Sequence, residues 1–232
     1  KQNVGLSQLM ETGRVLCLAW KWHGEKGPVQ YISENAGRGI MLDQAHALLD
    51  QADIVVTYNG KKFDIPTLNK EFLEGGYSPP APYKQVDLYC VAKRQFRFAS
   101  NKMDHLAKQL GIKTKIRHSG HELWVQCMAG NKKAWLKMER YNKRDVLILN
   151  HLYERLLPWI QGHPNVNLFT DPPKELPSCP SCGSGKIHSR GHATTRTYSY
   201  RRYQCSSCGS WSKGRKYDKD VPLPEVVGYA TL

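Results

Sequence analysis

Four cysteines fall into two matching turns, Cys179-Pro-Ser-Cys182-Gly183 and Cys205-Ser-Ser-Cys208-Gly209. Two C-x-x-C pairs with a short stretch between them offer four thiolates, the ligand set of a tetrahedral zinc site. The glycine after each pair can take the left-handed backbone such a turn needs. A pair of disulfides is the competing use of four cysteines, but small disulfide scaffolds rarely repeat C-x-x-C-G. The other three cysteines, Cys17, Cys90 and Cys127, lie in apolar segments and are expected to be small buried hydrophobes. Reduced thiols holding zinc imply a cytosol-like compartment, so a cytoplasmic location is expected.

Two carboxylates are placed where chemistry could use them. Asp64 ends the run Tyr58-Asn-Gly-Lys-Lys-Phe-Asp64, where a buried strand gives way to a turn and then a helix. Ligand sites in α/β sheets favour such strand ends, and a simple helix cap is the alternative. Asp145 follows Tyr141 by four residues, which puts phenol and carboxylate on one helix face. A solvated charge at the edge of the core is the alternative there.

Between the cysteine turns runs Thr195-Arg-Thr-Tyr-Ser-Tyr-Arg-Arg-Tyr203. As a strand it would put Arg196, Tyr198, Tyr200 and Arg202 on one face. Arginines for phosphates and tyrosines for stacking suit single-stranded nucleic acid, while covering a small ribbon core is the other use of those rings. Asn59 and Lys61 are near enough to Asp64 in sequence to touch the same substrate. His118 and His121 are read as loop histidines, and Trp124, Trp135 and Trp159 as core residues.

The 232 residues carry a formal net charge of +14. The surplus is spread over both parts of the chain, which points to a polyanionic partner, nucleic acid above all. No run approaches the roughly twenty apolar residues a spanning helix needs, and no signal peptide opens the chain. Hydrophobic content of 40% is enough for a packed core.

The elements that must hold these residues are readable in outline. Residues 14–22 form a strand apolar on both faces, so it should lie in a sheet covered on two sides. A strand over 28–33, a helix over 41–51 and a strand over 53–58 follow, then a helix over 65–73 ended by Gly75-Gly76. Residues 77–83 hold three prolines and form a loop. A brief strand at Val86-Asp87-Leu88 precedes a helix to about Phe96. Ser100 is the expected cap of the next helix, with Asp104 in its first turn. Residues 113–120 form a basic loop. Helices are expected over 122–129, 132–138 and 142–157. The reading is an α/β domain over 1–165, a proline-rich linker over 166–177, a zinc ribbon over 178–213 and a tail over 214–232.

Asn59-Gly60-Lys61-Lys62-Phe63-Asp64 resembles the second motif of the DnaQ-like (DEDD) 3′-5′ exonucleases. Tyr141-Asn-Lys-Arg-Asp145 resembles their third motif in its tyrosine form, Y-x-x-x-D. Val86-Asp87-Leu88 and Met103-Asp104-His105-Leu106-Ala107 also resemble that family. The resemblance covers roughly residues 1–212 and implies a ribonuclease-H-like mixed sheet flanked by helices. It further implies two Mg²⁺ or Mn²⁺ ions, held in part by Asp64 and Asp145, with Tyr141 orienting the attacking water. Phosphodiester hydrolysis of DNA is the expected activity, RNA the alternative substrate, and a replication or repair complex the expected setting. The family's first motif, D-x-E, has no counterpart here. The strand at 14–22 contains no acid and resembles the family's second strand, so the opening strand is expected upstream of Lys1. Weak or absent activity of the chain as given follows. A non-catalytic nucleic-acid-binding protein using ribbon and basic surface is the second reading, and a ribbon that docks to other proteins the third.

Overall fold

The computed structural model describes residues 13–112, 121–170, 177–195 and 197–221. The chain divides into two compact units, Lys1–Tyr153 and Glu154–Leu232. Arg196, His118, Glu11, the basic loop at 113–120, linker residues 171–176 and the end of the tail lie outside the described residues.

In the first unit, β1 (Cys17–Trp20) pairs antiparallel with β2 (Gln30–Ser33), and β3 (Ile54–Thr57) pairs parallel with β4 (Lys84–Asp87). The expected single mixed sheet is thus present as two separate two-stranded pieces among the described residues. Helix α1 (Arg38–Gln51) joins β2 to β3, and α2 (Asp64–Glu74) makes the crossover that a parallel pair requires. After β4 come α3 (Leu88–Gln95), α4 (Met103–Gln109), α5 (His121–Met128) and α6 (Lys132–Leu156).

Apolar residues at helical spacing set the packing. Met41, Leu42, Ala45 and Leu49 of α1 meet Ile65, Leu68 and Phe72 of α2, with Leu18 and Val55 of the strands packed on them. On the other side Leu123 and Cys127 of α5 meet Ala134, Trp135 and Met138 of α6, with Leu16 and Cys17 against them. The strand at 14–22 is therefore covered on both sides, as its two apolar faces require. Its regular part is shorter than expected. The amide of Val15 donates to the Glu71 carboxylate at 2.6 Å, and the carbonyl of Leu16 accepts from Glu34. The first bond commits the Val15 amide to a side chain, and the second continues the β1–β2 register by one residue pair.

Several expectations are corrected. Helices over 132–138 and 142–157 are one continuous α6, since residues 139–141 contain no breaker and Glu139 bonds Lys143 across the join at 2.6 Å. Ser100 does not cap α4. Its hydroxyl accepts from the Lys102 amide, and the helix starts at Met103. Cys90 is exposed rather than buried, and Trp159 is 59% exposed rather than in the core. Tyr198 precedes its strand instead of lying in it, because Thr195 and Tyr198 close a hairpin turn.

In the second unit β5 (Ile187–Thr194), β6 (Ser199–Cys205) and β7 (Trp211–Lys213) form an antiparallel sheet in that order. Residues 166–169, expected in the linker, form a short 3₁₀ turn bonded to the first cysteine turn through Val166 and the Asn167 side chain.

Candidate functional site

Four sulfurs meet in the second unit. The two cysteine turns are built alike: Gly183 and Gly209 donate to the carbonyls of Cys179 and Cys205, at 2.8 and 2.9 Å. Both glycines have positive φ, 71° and 81°, a conformation that disfavours any side chain. All four ligand atoms lie within 4.8 Å of one another. Cys179 and Cys208, and likewise Cys182 and Cys205, have sulfurs 3.7 Å apart. A disulfide would need about 2.05 Å. A tetrahedral ion with metal–sulfur bonds of about 2.3 Å sets its sulfurs about 3.8 Å apart, so the donor set fits zinc. Burial raises the Cys179 and Cys182 thiols. Burial also works on Cys205, but the amides of Cys208 and Ser207 and the thiols of Cys182 and Cys208 outweigh it and bring that thiol down to about 7. One ligand is thus ready to lose its proton near neutrality.

The sheet beside this cluster carries a row of rings and cations. Tyr200 and Arg202 alternate on one face of β6. Lys213 lies over the Tyr200 ring at 4.4 Å, and Arg202 over Trp211 at 4.9 Å. Tyr198 meets Tyr200 edge-on and Tyr217 at a tilt of 35°. Lys213 was expected only as added charge nearby, and Trp211 and Tyr217 were not singled out by the sequence reading. Trp211 follows the second cysteine turn, and only the β6–β7 register, Gln204 opposite Trp211, puts it on the tyrosine face.

In the first unit the carboxylates fall into two groups. Asp64 is the first residue of α2, not its cap, which is Phe63. The residue is exposed as a whole. Enough protein nonetheless surrounds its carboxyl for desolvation to raise the pKa, with the Asp87 charge adding to the rise; solvent access keeps the energetic effect modest. Asp87 is buried, pairs with Thr57 in the strand register, and accepts three amides: Asn59 at 2.7 Å, Lys61 at 3.1 Å and Tyr89 at 3.0 Å. It therefore ties the Asn59-Gly60 turn to the start of α3. Asn59 has φ of 64°, and a Cβ on Gly60 would come within 2.6 Å of the Thr57 side chain. The path that brings the chain from β3 to Asp64 thus depends on a small residue and a buried anion. The sequence reading noted Asp87 only within Val86-Asp87-Leu88, as a brief strand and a point of family resemblance, and gave it no role at the site.

The second group lies on and near α6. The Tyr141 phenol donates to the Asp145 carboxylate, as their four-residue spacing requires. Burial first, then the charge of Asp145, and last that of Asp104, push the phenol well above its ordinary range. Tyr141 accordingly stays protonated and serves as a hydrogen-bond donor, not a base. Asp64 lines a cavity of about 390 Å³ together with Asn142, Val146 and Leu149 of α6. Asp145 is one helical turn from Asn142 and Leu149 and borders that stripe.

Among the described residues no three acidic or histidine groups converge as the four cysteines do. The Asp64 carboxyl feels the charge of Asp87, and the Tyr141 phenol feels those of Asp145 and Asp104. Two neighbouring divalent cations need several oxygen anions close together to offset their mutual repulsion. The described carboxylates do not fit a complete two-ion site.

Residues 5–157 match the family model RNase_H_2, described as RNase_H superfamily. No curated protein matches the chain.

Proposed function

Because the chain belongs to the RNase H superfamily, whose members act on nucleic acid, we propose that it is a 3′-5′ exonuclease-like protein hydrolysing phosphodiester bonds, DNA in the first instance. The observation that carries this reading is the Tyr141–Asp145 pair on α6, beside a cavity into which Asp64 opens. In this reading Asp64 and Asp145 are ligands toward Mg²⁺ or Mn²⁺, which would supply an activated water and stabilise the leaving oxygen. The protonated Tyr141 holds a water or phosphate oxygen by donating to it. Asn59 and Lys61, whose backbone amides are held by Asp87, offer side-chain contacts to the substrate at the end of β3. Since the described carboxylates are too few for both ions, the chain as given should be weak or inert. Incubation with end-labelled single-stranded DNA and Mn²⁺ tests this. Little or no shortening is expected, and rapid EDTA-sensitive degradation lost in Asp145→Ala would contradict it.

Zinc held by Cys179, Cys182, Cys205 and Cys208 is proposed as a structural element. The adjoining face, with Tyr198, Tyr200 and Arg202, is proposed together with Arg196 to grip single-stranded nucleic acid by stacking and phosphate contact. That face favours a second reading, a binding protein without a working catalytic site. In that case Tyr200→Ala or Arg202→Ala should weaken binding to a fluorescent oligonucleotide, and Arg202→Ala should also lower the salt slope by about one unit. Unchanged affinity in both variants would remove the ribbon from the binding surface.

A further inference from the structure

Residues 214–218, expected in the tail, return to the sheet of the second unit. The Gly214 amide donates to the Arg201 carbonyl at 2.8 Å, and the Asp218 amide donates to the Ser199 carbonyl at 2.7 Å. The chain is thus pinned to β6 at two points, and Arg215, Lys216 and Tyr217 form an exposed loop between them. Asp218 makes the second pin firm. Its side chain is 8% exposed, and its carboxylate accepts from His192 of β5 and Arg201 of β6, both at 2.9 Å. His192 and Arg201 are opposite one another in the register, and alternation along β6 puts them on the face away from Tyr200 and Arg202. The clasp is therefore on the back of the sheet. Tyr217, beside it, packs on Tyr198 with 5.1 Å between ring centroids, and Tyr198 in turn meets Tyr200 of the front face at 6.5 Å.

The rings at the two ends of that front face are the exposed ones. Trp211 is 51% exposed, and Tyr198 and Tyr217 are exposed as well. Trp211 stands opposite Gln204, four residues along β6 from Tyr200, which is about 14 Å at strand spacing. Midway between those levels Arg202 faces Lys213. Each cation lies over a ring, Arg202 over Trp211 and Lys213 over Tyr200, which holds charge and ring together. Arg202 also gives its Nε to the Arg190 carbonyl at 2.9 Å, and its terminal nitrogens are left to meet an anion. Exposed rings interrupted by fixed cations match a polymer that alternates flat bases with phosphates. An acidic peptide supplies the charge but nothing flat to stack. We propose that Tyr217 and Trp211 are the two ends of one stacking track for single-stranded nucleic acid, with Arg202 and Lys213 as its phosphate contacts and Asp218 as the positioning residue that holds the Tyr217 end in place. The proposal rests on the reading that the ribbon face grips single strands. It adds Trp211, Lys213 and the 214–218 loop to that face and gives the track a length, more than about 14 Å, that a bound strand must span.

Fluorescence anisotropy of the zinc-loaded full chain with labelled poly(dT) oligonucleotides of increasing length tests this. Affinity should climb with length until the track is spanned. Trp211→Ala and Tyr217→Ala should each weaken binding of the longer oligonucleotides by about fivefold or more. Trp211→Phe and Tyr217→Phe, which keep a ring, should recover most of that loss. Should Trp211→Ala lose zinc, Trp211→Thr, a ringless residue suited to a strand, takes its place. Asp218→Ala should weaken binding as much as Tyr217→Ala, add nothing on top of it, and add in full to Trp211→Ala. Independent losses from Asp218 and Tyr217, or an Asp218→Ala chain in which Trp211 no longer contributes, would overturn the positioning role. Duplex DNA bound as tightly as single strands, poly-glutamate competing as well as poly(dT), or full affinity in both ringless variants would overturn the track. If the Trp211 and Tyr217 variants bind normally while Tyr200→Ala and Arg202→Ala weaken binding, the track falls and the single-strand reading stands. If none of the four changes the affinity, that reading itself falls.

Discussion

The cysteine cluster and the carboxylate site differ in how their ligands are delivered. The four thiols come from two tight turns of nearly identical construction, each fixed by its own glycine and its own Gly N–H to Cys carbonyl bond. Their sulfurs sit at spacings suited to one ion. The acids come from a helix start, a strand end and a long helix, and they do not converge. A site made of local turns can be complete within a few dozen residues. A site made at the ends of sheet strands is only as complete as the sheet.

The largest expected contrast is the response to losing metal. Chelation, or Cys205→Ser, should abolish the ordered β5–β7 sheet, because structural zinc contributes on the order of 10 kcal/mol to small domains of this kind. Hydrogen exchange should show the loss in the second unit while the helices of the first unit stay protected. Binding should also weaken as pH falls. Cys205, with its thiol near 7, must lose a proton to bind, and so must its partners, whose thiols lie higher. Competition between protons and zinc therefore steepens below neutrality. A second unit that keeps its exchange protection after complete zinc removal would break the contrast.

Asp87→Ala should be next, costing about 3 kcal/mol, since it strands three buried or half-buried amides at the Asn59 turn and the α3 start. Urea denaturation followed by helix signal measures it. A loss below about 1 kcal/mol would mean that water takes over those amides and that the turn is not held by the anion.

The smallest effect has the opposite sign. Desolvation raises the Asp64 pKa, so the folded chain holds this proton more tightly than the unfolded chain does. Its ionised form is therefore a liability to folding above the folded pKa, and the liability disappears below the unfolded value near 3.8. Asp64→Asn should make the first unit slightly more stable in magnesium-free buffer at pH 7, with the gain gone at pH 3. An Asn variant less stable at pH 7 would show that the carboxylate is structural, the helix-start role weighed from the sequence.

Much of this was legible beforehand because it is local. The α1 and α2 stripes, the proline loop, the cysteine turns and the i, i+4 meeting of Tyr141 with Asp145 all follow from spacing. What was not legible depends on register or on packing at a distance. Asp87 matters because β4 pairs with β3 so that it sits opposite Thr57, below the Asn59 turn. Trp211 joins the tyrosine face only through the β6–β7 register. The exposure of Cys90 and Trp159 reflects which side of a helix or turn faces outward, which a short apolar stretch does not encode. The split of one expected sheet into two halves is a statement about neighbours, and the strands themselves carry no mark of it.

The central claim is that Asp64, Tyr141 and Asp145 form part of a hydrolytic site that further acids must complete. The most direct measurement compares end-labelled single-stranded DNA exposed, with Mn²⁺, to the given chain and to the chain extended by a strand bearing Asp-Val-Glu. Stepwise shortening from the 3′ end by the extended chain alone, lost in Asp145→Ala and in Asp64→Ala, is the expected result. An extended chain that leaves every DNA and RNA end intact, or one whose activity survives both substitutions, would contradict it.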